Sequence, residues 1–475
     1  MTSPSRSARV WVWVFVGLLL GTLTLVVLAP FVQDPLVRGV YPQVGVATLS
    51  VVVLVMAVVW AIRPVRVHAA TWTAWLAAGV TVALPLGPIS LWYLGREGLG
   101  YQVFQALGVG ASPYGFGDMD VVLSWLDCAR AGVDPYGADA VTCAVGPSNY
   151  GPAVFWLVPL GVSRTAAPLF GALGVALSAL AIFWLVRQSR GWGRLTLVAV
   201  SASAAWVLVQ ERANLDAAIV WAAVLLVFLA RRYQGLWPWI LASIPIWILG
   251  AWKYYPFALV IALIPVVRLK HGWVVIAGFI GLAAVYLVTM RDYVLLSLSS
   301  NANLSSGEFG GFGRDLAAAF VAGEARSSTS WAWGDVVIAS VMFAAFGWGW
   351  AVVGKIHAQP SRLRLSRIPL TAESMLAICG ATGVIIAVGL GGFGYNYKAT
   401  LMFLGVPLLA RLADQRTTME FRAGLLMLAF VLVSAFVVTN VLLASICVLS
   451  VAAFLTGASL RPLLAWIRTQ GQELS

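Results

Sequence analysis

Apolar runs of about 16 to 23 residues recur along the whole chain, and nothing else in the sequence restricts the fold as tightly. A run of that length wound as an α-helix crosses the hydrocarbon core of a bilayer with every backbone polar group satisfied inside the segment. About fourteen runs are legible, near 10–31, 45–62, 71–94, 166–187, 195–210, 216–231, 236–252, 255–268, 272–290, 334–354, 370–391, 399–413, 421–438 and 441–460. With 61% of the 475 residues hydrophobic and 10% charged, too little polar sequence remains for a soluble domain. The expected fold is therefore all-α: a polytopic integral membrane protein of about 14 transmembrane helices, residues 1–475 forming a single membrane domain with short surface helices on its long outer loops. The first run is long and no small-residue cleavage site follows it, so it reads as a retained helix.

Basic residues orient the chain. With the N-terminus, Arg6 and Arg9 placed in the cytoplasm and the side alternating at each run, 20 of the 30 Lys and Arg residues fall on the cytoplasmic side, and 14 of the 18 Asp and Glu residues fall outside. Both termini are then cytoplasmic in a multi-pass protein of the plasma membrane. The formal charge of +12 follows from this topology and gives no reason to expect a nucleic-acid partner. Membrane lipids are the expected surroundings. His68, His271 and His357 all map to the inner side, which removes a His-ligated metal site from the outer loops.

Two outer segments, 97–165 and 291–333, are far longer than a turn between helices requires. The first is acidic and polar, and catalysis at the membrane surface is the expected reason for it. It carries Phe116-Gly117-Asp118-Met119-Asp120, Asp134-Pro135-Tyr136 and Asn149-Tyr150-Gly151-Pro152. Cys128 and Cys143 also lie there, either bridged or as two free thiols; spacing alone does not choose. The second holds Gly307 to Asp315, whose glycines do not open a dinucleotide-binding unit, and reads as a mobile loop or a substrate lid.

Four clusters at the outer face carry chemistry. Asp118 and Asp120 precede the apolar-rich stretch Val121 to Arg130, which fits a short helix along the membrane surface. Asp118 there either caps the helix or serves as a general base toward an acceptor hydroxyl. Gln210-Glu211-Arg212-Ala213-Asn214-Leu215-Asp216 is a polar turn whose charges neutralise one another, or part of a site, since ionisable groups at span ends are costly unless paired or used. In Trp252-Lys253-Tyr254-Tyr255-Pro256 the tyrosines are interfacial aromatics or substrate contacts, while Lys253 puts a cation on the less basic side. Gly394-Tyr395-Asn396-Tyr397-Lys398 carries the same ambiguity. Together, Asp118 and Asp120 with Arg212, Lys253, Lys398 and Arg314 suit displacement at a carbon whose leaving group is a phosphate. Asn149, Tyr150, Asn214, Asp216, Tyr254, Tyr255, Asn396 and Tyr397 are the expected substrate contacts. No metal and no cofactor is expected.

These patches resemble a known family. The order Phe116 to Val121, then Gly132-Val133-Asp134-Pro135-Tyr136, then Asn149 to Pro152 looks like the first outer loop of GT-C membrane glycosyltransferases. It is most similar to the polyprenol-phosphosugar-dependent mannosyltransferase-like group, glycosyltransferase family eighty-seven. Glu211 to Asp216 resembles that group's Glu-Arg-Gly-Asn-x-Asp segment, with Ala213 at the usual glycine. Trp252 to Pro256 resembles its Leu-Lys-x-Tyr-Pro hairpin, and Asn396 to Lys398 its late Asn-Tyr segment. Two additional spans precede the loop, and Tyr150-Gly151-Pro152 replaces a more usual Tyr-Pro-Pro or Tyr-Pro-Arg.

The resemblance implies inverting transfer of a sugar from a polyprenyl monophosphate donor to a cell-envelope glycan or glycolipid acceptor at the outer face. Asp118 matches the family's loop aspartate and takes the base role, with Asp120 as helper. A chain rich in Ala, Val, Arg and Trp and poor in Lys fits a high-GC bacterium such as an actinobacterium, where mannose or arabinofuranose on decaprenyl phosphate is the expected donor. Two other classes share the composition. A transporter or flippase of lipid-linked sugars would place its polar groups mid-membrane in broken helices, whereas here they crowd the outer ends of the runs. A non-catalytic scaffold would keep the fold and every motif.

Overall fold

In the computed structural model the described residues are 70–106, 109, 115–144, 146–189, 192–232, 235–304, 340–351, 372–391, 396–409, 449–462 and 464. Among them every regular element is helical. Two stretches, Thr73–Tyr93 and Arg164–Gln188, are long and apolar enough to cross a membrane, and a third counts if the pair Trp273–Thr289 and Arg291–Ser297, bent by 81°, is one span. The runs read at 10–31, 45–62 and 421–438 lie outside the described residues, as does most of the loop beyond residue 304.

The first long helix, α1 (Ala70–Tyr93), packs along α4 (Ala167–Gln188). Between them in the chain come α2 (Glu97–Ala106) and α3 (Gly117–Arg130). The run read at 195–210 is two helices, α5 (Trp192–Ser201) and α6 (Ala204–Glu211). The break falls where the Ser203 side chain accepts the Trp206 N–H at 3.2 Å, a serine cap that competes with continuing the helix. Then follow α7 (Asp216–Arg232) and α8 (Trp237–Lys253), which pack together. The run at 255–268 adopts 3₁₀ geometry over Tyr255–Arg268, where Pro256 and Pro265 lack the N–H that an α-helix would use. α9 (Trp273–Thr289), α10 (Arg291–Leu304) and α11 (Ala372–Gly391) follow, and a 3₁₀ segment at Asn396–Gly405 lies against α11.

Close approaches are made through glycine. A Cβ on Gly349 would meet Phe454 O at 2.2 Å, and one on Gly457 would meet Phe346 O at 2.2 Å, so the helices at 340–351 and 449–462 cross backbone to backbone. Small residues at a crossing let two helix backbones come into van der Waals contact. Trp206, Trp239 and Phe403 are enclosed in the central core, while Leu169, Leu180, Leu282 and Val288 stay exposed.

The described parts of the loop 97–165 are held by contacts with α1 and with one another. α2 folds back along α1, with the Trp92 indole donating to Glu97 O at 3.0 Å and Phe104 buried against Ile89 and Phe116. Asp134 closes a turn by accepting the Tyr136 N–H at 3.0 Å, and the Tyr136 hydroxyl donates to Tyr150 O at 2.8 Å. Cys128 and Cys143 are bridged, their Cα atoms 5.6 Å apart and 15 residues apart in sequence. Closing a loop of that size stabilises the fold by about 3 kcal/mol in the chain-entropy account. Maleimide should therefore label this pair in denatured protein only after a reductant is added, and the Cys128→Ser/Cys143→Ser variant should lose loop protection against protease. Labelling of both thiols without reductant would contradict the bridge.

Candidate functional site

The site begins where two helix ends meet. α6 ends at Glu211, leaving carbonyls without intrahelical partners, and α3 begins at Gly117, leaving N–H groups without them. They satisfy each other: Phe116 N donates to Glu211 O at 2.8 Å, and Asp118 N and Met119 N donate to Arg212 O at 3.0 and 3.2 Å. To make this junction Phe116 adopts a left-handed conformation (φ 64°), and its ring lies against Gly171 of α4, where a Cβ would stand 2.2 Å from it. The residue before α3 carries no side-chain cap, so Asp118 is not spent on one. Its carboxylate sits in the first turn, where the helix dipole favours negative charge.

From Asp118 a chain of polar contacts runs through three segments. Arg212 Nη1 reaches Asp118 Oδ1 at 3.1 Å, and the Asn214 amide donates to Asp118 Oδ2. Asn214 Oδ1 accepts from Asp216 N and from Lys253 Nζ, each at 2.9 Å. Lys253 Nζ also pairs with Asp216 Oδ1 at 2.6 Å, and the Tyr255 hydroxyl donates to the same oxygen. Asp216 is almost wholly enclosed, its side chain 1% exposed against 16% for Lys253. Losing one partner of such a pair costs about 3–5 kcal/mol, because the other charge is left buried. Glu211 is fully buried beside Arg212, whose Nε lies 3.9 Å from Glu211 Oε2.

The loop supplies a third wall. Lys253 Nζ lies 5.2 Å from the centre of the Tyr150 ring, within cation–π range. Burial pushes the Tyr150 phenol up to about 12 against the lowering pull of Lys253, so the lysine faces a neutral ring. Tyr150 is held there because Gly151 N donates to Trp252 O at 2.7 Å, at the end of α8.

Of the residues singled out in the sequence, Asp118, Tyr150, Arg212, Asn214, Asp216, Lys253 and Tyr255 come together. Asn149 is half-buried next to Tyr150. Asp120 turns elsewhere, pairing with Arg164 at 2.7 Å just ahead of α4. Tyr254 also faces away: its φ of 62° reverses the chain so that Lys253 and Tyr255 share Asp216, and its own hydroxyl bonds Ser297 Oγ at 2.7 Å. The side chains of Asn396, Tyr397 and Lys398 lie outside the described residues, as does Arg314. Arg164 and Tyr286 are structural partners that the sequence reading passed over. A lone arginine just ahead of an apolar run on the acidic side was the available signal for Arg164; Tyr286, inside α9, offered none.

Ala213 sits at φ 49°, in the left-handed region that favours glycine. The strain, about 1–2 kcal/mol for a residue with a Cβ, exceeds the entropy cost of glycine, about 0.5–1 kcal/mol. Ala213→Gly is thus expected to raise the thermal unfolding midpoint in detergent; a clear fall would show that the turn is not strained.

Compared with protein-family models, with curated proteins and with solved structures, the chain matches none.

Proposed function

We propose that this chain is a polytopic plasma-membrane glycosyltransferase of the GT-C type, moving a sugar from a polyprenyl monophosphate to a glycan or glycolipid acceptor with inversion. The observation that carries the reading is the convergence of Asp118 with Arg212, Asn214, Asp216 and Lys253, drawn from helix ends in separate parts of the chain. One carboxylate reachable from solvent, with the Arg212 guanidinium beside it, is the equipment that single displacement of a phosphate needs.

Asp118 accepts the proton of the acceptor hydroxyl, for which each of its oxygens keeps a second lone pair beyond the Arg212 and Asn214 contacts. The acceptor oxygen bonds to the anomeric carbon, the carbon–oxygen bond to phosphate breaks, and the polyprenyl monophosphate leaves with the electron pair. Positive charge at Arg212 stabilises that departing anion. Tyr150 and the loop 97–165 cover the sugar, and the lipid tail lies among the apolar helices. In this topology both termini are cytoplasmic and the site faces outward. The partners are the donor lipid, an envelope acceptor and the bilayer itself.

The test is sugar transfer by purified protein in liposomes, offered radiolabelled polyprenyl-phosphate mannose or polyprenyl-phosphate arabinofuranose with cell-envelope acceptors. Label in the acceptor with stoichiometric release of polyprenyl monophosphate is the expected result. No transfer from either donor, with movement of the lipid-linked sugar across the same vesicles, would overturn the proposal in favour of a transporter.

A further inference from the structure

We infer that Lys253 acts as a positioning residue that fixes the Asn214 amide, and through it the Asp118 carboxylate, rather than as a ligand of the donor phosphate; this rests on the transferase reading above. An ammonium has three N–H bonds. At Lys253 they meet Asn214 Oδ1 at 2.9 Å, Asp216 Oδ1 at 2.6 Å and the face of the Tyr150 ring, 5.2 Å from its centre. All three directions are taken by the protein, and the side chain is only 16% exposed. A phosphate could reach Lys253 only by displacing one of these three partners.

What Lys253 does control is the sense of one amide. Asn214 Oδ1 accepts from Lys253 and from the Asp216 backbone N–H, which leaves the NH₂ end pointing at Asp118 Oδ2. If the amide turned over, it would set Oδ1 against a carboxylate and NH₂ against an ammonium. Two donors on the oxygen side therefore determine that Asn214 donates to Asp118, while Arg212 holds the other oxygen at 3.1 Å. With Lys253 saturated, Arg212 is left as the cation of this cluster that meets the donor phosphate.

Removing Lys253 alone strands the charge of Asp216, so the informative variant is Lys253→Met/Asp216→Asn, which deletes the buried pair together and keeps an acceptor for Tyr255. In reconstituted protein its kcat should fall about 100-fold, the scale of a misplaced catalytic group. Its KM for polyprenyl-phosphate sugar, and inhibition by polyprenyl monophosphate, should stay within about twofold of wild type. Arg212→Met should instead raise both donor constants. A rise of about tenfold or more in donor KM and in the inhibition constant for the double variant, with kcat retained, would overturn the inference by putting Lys253 on the phosphate.

A second measurement needs no catalysis. Thermal midpoints in detergent for Lys253→Met, Asp118→Asn and their combination should be non-additive, and the coupling should shrink in an Asn214→Ala background, where only the direct attraction of the two charges is left. Additive midpoints would overturn the positional link. If wild type transfers no sugar while the coupling stands, the transferase reading fails and the linkage through Asn214 survives.

Discussion

Asp118→Asn protein, compared with wild type at equal folded yield, is expected under the transferase proposal to transfer sugar at least about a thousandfold more slowly, within the range assigned to a positioned general base. The substitution is nearly isosteric, and the contacts that seat the first turn of α3 are made by backbone atoms, Asp118 N and Met119 N to Arg212 O, which it leaves alone. What it removes is the group that can take a proton. It also upsets the local hydrogen bonding. Asp118 receives donors on both oxygens, from Arg212 and from Asn214, and an asparagine has one acceptor for those two. One donor loses its partner, at a cost of about 1–3 kcal/mol, so a lowered thermal midpoint should accompany the lost activity without unfolding the protein. Asp120→Asn provides the contrast. Asp120 pairs with Arg164, linking α3 to the start of α4, and its loss should loosen the loop rather than remove a base. Equal losses in the two variants would assign both to loop disorder; a loss far larger at Asp118 assigns that residue to the proton transfer. Unchanged transfer by Asp118→Asn would remove it from the chemistry.

The parts of this arrangement legible in the sequence are those governed by the cost of charge beside apolar sequence. Arg212, Asp216 and Lys253 stand at the ends of apolar runs, where an ionisable group is expensive unless paired or used, and the structure pairs them. Asp118 was legible for a different reason, as a carboxylate in a loop too long to be a turn, although capping remained the alternative reading until Phe116 took up the left-handed conformation ahead of α3. Other features depend on contacts that spacing does not encode. That Lys253 and Tyr255 share one oxygen while Tyr254 faces Ser297 follows from the φ of 62° at Tyr254, and neither tyrosine can be preferred from the string Lys-Tyr-Tyr-Pro. The break between α5 and α6 lies inside a run whose hydropathy is continuous, and only the Ser203 cap reveals it. The pairing of Asp120 with Arg164 spans 44 residues and belongs to the docking of α3 on α4. Helix type over Tyr255–Arg268 was likewise open: prolines warn of irregularity without specifying the tighter turn.

Gly151→Ala is expected to lower turnover about 100-fold, for a purely steric reason. Gly151 has a φ of −66°, so its lack of a side chain is not needed for backbone freedom. It is needed for room: a Cβ there would stand 2.2 Å from Ala251 O, 3.0 Å from the Tyr286 hydroxyl and 3.1 Å from a Tyr254 ring carbon. None of these can retreat easily. Ala251 O belongs to α8 and accepts the Tyr286 hydroxyl at 2.7 Å, while that hydroxyl in turn accepts Ala153 N at 3.2 Å. The loop, α8 and α9 are thus keyed together around a gap the size of a hydrogen atom, and the Gly151 N–H bond to Trp252 O closes the key. An added methyl must push the loop off α8. Overpacking of this kind costs about 1–3 kcal/mol, but the functional loss should be larger, since the neighbouring Tyr150 carries the ring that faces Lys253. Displacement on the scale of 1 Å is enough to lower turnover about 100-fold. Two readouts separate this from general instability: cleavage within the loop by added protease should accelerate, while the thermal midpoint of the helical body moves little. Gly146→Ala, at a position in the same loop with nothing within 4 Å of an added Cβ, should match wild type in both. If Gly151→Ala also matches wild type, the loop is not held against α8, and the wall that Tyr150 gives to the site is lost with that contact.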